Sequence, residues 1–172
     1  MEQLRIFRQF QRQGIMTNEQ KQDFTRRITQ ANKGELVIIK YEILFVYLQD
    51  AKDAHIADDR EQFKQAVRQA SLVLKSFEET LDFTYEISKS LYAVYDFHCR
   101  QLSQAMLHFS VKEVEEAEEM LRQLYESFKE AAKTDTSGPL MENAQQVYAG
   151  YTYGKNNINE TYDTQSSRGF LA

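Results

Sequence analysis

The side chains best suited to metal or nucleophile chemistry in this chain are His55, His98, His108 and its single cysteine, Cys99. A di-metal site inside a helical protein needs Glu-x-x-His on two helices and a further Glu from each of two others. The residues three places before the histidines are Lys52, Tyr95 and Ala105, so that pattern is absent. His98 and Cys99 are neighbours, and on a helix neighbours point about 100° apart, which disfavours a shared metal ion. His98 falls on an apolar stripe and reads as a core histidine, and Cys99 as a small buried hydrophobe. One cysteine excludes an internal disulfide and a cysteine-cluster zinc site. No Gly-x-Ser-x-Gly elbow, Gly-rich phosphate loop or Cys-x-x-Cys-His haem attachment occurs. The expectation is no enzyme, no cofactor and no metal. What remains is a surface for another polypeptide, with a helix lying in a groove as the expected mode.

The elements that must build such a surface are helices. The chain has 172 residues, six Gly and one Pro, too few turn residues for a sandwich or barrel. Asp58 to Leu81 carries Phe63, Val67, Ala70, Leu74, Phe77 and Leu81 at spacings of four and three, the seam of a bundle helix. Ser110 to Lys133 repeats the pattern behind Ser110 and Glu113, a capping box. Thr84 to Phe109 has a wider apolar arc that includes Leu91, Tyr95 and His98. Asn32 to His55 is apolar around most of its circumference, so something besides three bundle helices is expected to cover part of it: the chain's own arm or tail, or a partner. Short links at 55–57 and 82–83 force antiparallel neighbours.

The predicted fold is all-α, an up-down four-helix bundle over 31–133. A helical arm occupies 1–30, in pieces at 3–13 and 18–30, and an irregular polar and aromatic tail occupies 134–172. Net charge is −5, with a balance of +3 over 1–30, −6 over 31–133 and −2 over 134–172. That acidic body argues against nucleic acid as a partner. No signal peptide is visible, and the most apolar stretch, 36–48, is too short for a membrane span. A soluble cytoplasmic protein without membrane insertion is expected.

Several stretches resemble the flagellin export chaperones of the FliS family. Glu35-Leu-Val-Ile-Ile-Lys-Tyr-Glu42 is similar to the E-L-x-x-x-L-Y-D opening of that family's first bundle helix. Leu91 to Ala105 resembles its L-x-x-L-Y-D-Y-x-x-R-R-L-x-x-A signature, matching at Leu91, Tyr95, Asp96, Arg100, Leu102 and Ala105. Ser127-Phe-Lys-Glu-Ala131 is similar to the closing x-W-K-E-A, and Phe7 to Thr17 to the N-terminal Y-x-x-Y-x-x-N-x-V-x-T. Ile43 stands where Gly is usual, Lys40 for Leu, Gln101 for Arg and Met106 for Asn.

The resemblance implies a cytoplasmic bacterial chaperone. Such a protein binds the C-terminal helical segment of flagellin, prevents premature polymerisation and escorts its client to the export gate. Ile38, Tyr41, Phe45, Leu91, Tyr95, Asp96 and Arg100 are the implied client-binding residues. Tyr41 and Tyr95 also fit plain bundle core, and Asp96 with Arg100 an exposed intrahelical pair. Phe7, Phe10 and Ile15 are candidates for a self-cap or an export-gate contact. Tyr148, Tyr151, Tyr153 and Phe170 give the tail aromatic docking anchors that a pure linker does not need. A non-flagellar helical adaptor and a structural homo-oligomer are the alternative readings.

Overall fold

The computed structural model describes residues 16–140. Its elements are helices: α1 (Asn18–Gln30), α2 (Lys33–Ile56), α3 (Arg60–Glu78), α4 (Ile87–His108) and α5 (Lys112–Ala132). Contacts join α2 to α3, α3 to α4, α4 to α5 and α5 back to α2, and α1 lies against α2. The four-helix ring is thus the predicted antiparallel bundle, with one helix added outside it. Residues 1–15 lie outside the described residues, and with them Phe7, Phe10 and Ile15. So do residues 141–172, with Tyr148, Tyr151, Tyr153 and Phe170. The described residues all belong to one compact unit.

Local chemistry explains the helix starts. Thr17 and Gln20 form a reciprocal capping box on α1: the Gln20 amide donates to Thr17 Oγ1 and the Thr17 amide to Gln20 Oε1. Asn32 and Glu35 do the same for α2. Asp59 caps α3, its Oδ1 accepting the Gln62 amide at 2.9 Å. The predicted helix 58–81 is shorter at both ends: Asp58 turns left-handed at φ 54° and closes the link from α2, and beyond Glu78 the chain tightens into turn bonds from Thr80 to Phe77 and from Leu81 to Glu78. The predicted 84–109 helix begins only at Ile87. Asp82 Oδ1 accepts both the amide and the hydroxyl of Thr84 and holds 82–85 as a turn. The capping box expected at Ser110 does not form on the backbone. Val111 takes the cap position, and the Ser110 hydroxyl donates to the Glu113 carboxylate.

The core runs along α2, which buries Leu36, Ile39, Tyr41, Ile43, Leu44 and Leu48 among others. Its breadth has a cause. α2 faces α3 and α5 inside the ring and α1 outside it, so an apolar residue finds a neighbour on nearly every side. α1 contributes Phe24 and Ile28, and Met16 ahead of it, to the same core. The arm therefore supplies the cover that the apolar circumference of α2 calls for. The Thr-Asp-Thr-Ser-Gly-Pro break after α5 also turns back onto the fold. Asp135 Oδ2 accepts the Gly34 amide at 3.1 Å, Asn32 Nδ2 donates to the Ser137 carbonyl, and the Leu140 amide donates to the Ala31 carbonyl at 3.0 Å. This clasp ties the end of the bundle to the start of α2.

Candidate functional site

The residues singled out on α2 and α4 fall in three different places. Tyr41 and Tyr95 come together, as two phenols 54 positions apart whose hydroxyl oxygens lie 2.8 Å apart in the core. Their exposures are 0% and 1%, so both rings are bundle core and neither faces an open groove. Phe77 of α3 sits between them, with centroids 4.6 Å from Tyr41 and 5.1 Å from Tyr95, the latter stacked. Burial raises the pKa of both phenols, so one hydroxyl donates, the other accepts and neither ionises at neutral pH.

Phe45, one turn on from Tyr41, is also buried. Its ring meets Tyr125 of α5 edge-on at 5.5 Å, and the Arg122 guanidinium lies 4.5 Å over it. Between Tyr41 and Phe45, Glu42 joins three helices. Arg27 of α1 pairs with one of its carboxylate oxygens at 2.5 Å, and the Tyr125 hydroxyl donates to the other at 3.3 Å. A second belt crosses from α2 to α5, where Glu118 accepts Lys52 Nζ at 2.7 Å and Arg122 at 2.6 Å. Burial pushes the Glu118 carboxyl up, but the bonds from Lys52 and Arg122 outweigh it and hold it below its ordinary range.

Ile38 and Leu91 are only half-buried, and both are reachable from solvent. Ile38 lines an open pocket of about 390 Å³ with Arg27, Gln30, Ala31, Glu35 and Ile39, where α1 gives way to α2. Leu91 packs on the rim of the core. Asp96 and Arg100 form the expected intrahelical ion pair at 2.6 Å, with side chains 41% and 72% exposed. At those exposures the pair contributes little to stability and leaves Arg100 free to exchange partners.

Lys40 was legible only as a break in an apolar run, and the structure gives it a place. It is 2% exposed, and its Nζ donates to the Ser76 carbonyl at 3.1 Å and to Thr80 Oγ1 at 3.4 Å. The ammonium also sits 4.4 Å over the Phe77 ring. A cation at the C-terminal end of α3 meets carbonyls that have no intrahelical donor, which offsets the cost of burying it.

Among the described residues no three His, Cys, Asp or Glu side chains converge to hold a metal ion. None of the described helices is long and apolar enough to cross a membrane. His98 is 1% exposed. Gln101 Nε2 donates to Glu116 Oε2, which leaves Gln101 Oε1 as the acceptor 3.0 Å from His98 Nδ1 and places the imidazole proton there.

Residues 16–135 of the chain match the model of a family described as FliS, flagellar protein FliS. No curated protein matches it.

Proposed function

The chain belongs to the FliS family of flagellar export chaperones, and on that premise we propose that it acts in the cytoplasm, without enzymatic chemistry, on flagellin. In this reading it binds the C-terminal helical segment of flagellin, keeps that segment from polymerising and delivers it to the export apparatus. The observation that carries the reading is the extent of the family match, which runs from Met16 through all five helices to the Asp135 clasp.

The physics of such a client supports it. An amphipathic segment that polymerises through its apolar face needs that face covered, and about 1,600 Å² of total buried surface suffices for a specific complex. Ordering a disordered client costs several kcal/mol, so a moderate affinity is expected despite the area. Of the residues the family resemblance points to, Ile38, Leu91, Asp96 and Arg100 can meet a client on the folded surface. Tyr41 and Tyr95 support that surface from beneath by joining α2 to α4, and Phe45 by joining α2 to α5. Calorimetric titration with full-length flagellin and with flagellin lacking its C-terminal segment tests the proposal. Binding to the first and loss with the second is the expected pair of results. Equal binding to both, or to neither, overturns it.

A further inference from the structure

We propose that the corner where α3 turns into α4 docks a second protein through a basic segment carrying an aromatic or aliphatic anchor. This inference does not rest on the flagellin reading. Four large apolar side chains stand out there within ten residues: Phe83 at 53% exposure, Tyr85 at 65%, Ile87 at 66% and Tyr92 at 43%. Phe83 and Tyr92 already touch, with ring centroids 6.0 Å apart. Leu81 and Leu91, half-buried beside them, join the corner to the core.

The backbone that presents these rings is held in place. Asp82 Oδ1 accepts the Thr84 amide at 2.9 Å and the Thr84 hydroxyl at 2.7 Å. The Asp82 carbonyl accepts the Ser88 hydroxyl at 2.6 Å and the Tyr85 amide at 3.2 Å. Ser88 is itself buried. A partner therefore meets rings already displayed, and little ordering cost falls on this side of the interface. Displayed aromatics on a fixed turn are the composition that binding hot spots favour.

Charge decides the partner. Residues 78–92 hold four acids, Glu78, Glu79, Asp82 and Glu86, against the single cation Lys89; Asp96, further along α4, is paired with Arg100, and the buried Lys40 ammonium is taken up by Ser76 and Thr80. Such a field repels nucleic acid and anionic lipid and draws Lys and Arg. The exposed rings of Phe83, Tyr85 and Tyr92 can also take a cation on their faces. A basic and apolar polypeptide satisfies both features together.

The test uses two amphipathic peptides of about 15 residues with the same Leu and Phe anchors, one flanked by Lys and Arg and the other by Glu. Titrated into the full chain, the basic peptide is expected to bind at least about tenfold more tightly than the acidic one, and less tightly as salt screens the field. Phe83→Ser with Tyr92→Ser should weaken it at least about tenfold, since both positions are exposed and the fold does not depend on them. Glu86→Lys should weaken it while leaving every ring in place. Ile56→Ser, 83% exposed at the other end of the bundle, should change nothing. Equal binding of the two peptides, or wild-type binding by the corner variants, overturns the proposal. So does competition by phosphatidylcholine vesicles, which would make the corner a lipid contact. Loss of flagellin binding in the Phe83 and Tyr92 variant would assign the corner to the client site and overturn the second partner.

Discussion

Tyr41 and Tyr95 share one hydrogen bond inside the core, and that bond makes their two hydroxyls interdependent. A phenol on an apolar stripe fits a core or a wet groove equally well, because its ring wants one environment and its hydroxyl the other. Sequence spacing placed both residues on inward faces but not the partner that each hydroxyl finds on another helix. Tyr95→Phe strands the Tyr41 hydroxyl in the core and is expected to cost ~1–3 kcal/mol. Tyr41→Phe should do the same in reverse. Combining the two removes both polar groups, so the double variant should lose less than the two single losses added together. Urea unfolding of the three variants measures this, and strict additivity would mean that the hydroxyls do not depend on each other.

His98 belongs to the same scale and was legible, since a histidine on an apolar stripe reads as core. Burial lowers its pKa, and the bond it donates to Gln101 opposes that only in part. The folded chain therefore keeps it neutral where the unfolded chain, at about 6.5, takes up a proton. Its contribution to stability is full above about pH 6.5 and falls as the pH drops below it, by at most about 1.4 kcal/mol per pH unit for one proton. Asp50 acts in the opposite sense. Burial first, and Asp53 second, push its carboxyl up to about 6, so its contribution improves as the pH falls from there. Wild type and His98→Gln compared at pH 7.5 and 5.5 separate the two. The variant should lose less stability on acidification than wild type, and parallel losses would show that His98 does not titrate this way.

At the scale of elements, the helix bodies were legible to within a few residues, because their apolar stripes repeat at three and four. The ends were harder. Asp59 capped as its type suggests, but Ser110 turned to the Glu113 carboxylate, a competing local bond that the same Ser-x-x-Glu pattern permits. The Gly-Pro break after α5 reads as a loop, yet its Asp135 returns to the first turn of α2. There the Gly34 amide has no acceptor within its own helix. Gly34 admits this approach because a Cβ would lie 3.1 Å from Asp135 Oδ2 and 3.2 Å from the Ala132 Cβ. Such a contact joins residues 101 positions apart and leaves no local trace. Asp135→Ala should therefore speed hydrogen exchange at the Gly34 amide and leave the amides of Tyr41 and Leu44 as they were. An unchanged Gly34 amide would show that the clasp does not persist in solution.

For the whole molecule, the ring of four helices follows from four amphipathic segments and short links, and both features are visible in the sequence. The placement of α1 does not follow from them. It depends on Arg27 meeting Glu42, and on Phe24 and Ile28 finding a side of α2 that the ring leaves uncovered. α1 touches α2 from outside, whereas every ring helix packs between two others. A helix of 13 residues is marginal by itself, so α1 is helical because it is docked. The molecule should then open in layers, with α1 the layer of lowest stability and the ring the layer that opens only on global unfolding. Ile28, 1% exposed, is the deepest anchor of α1. Truncating such a side chain costs ~2–5 kcal/mol where the structure cannot move away. Here undocking of α1 offers an escape, so the loss should be felt locally. Native-state hydrogen exchange of Ile28→Ala is expected to show α1 amides near the unprotected rate, with protection in α2 to α5 reduced by less than about tenfold. If protection in α2 to α5 falls in step with α1, the arm and the ring unfold as one body and the layered description fails.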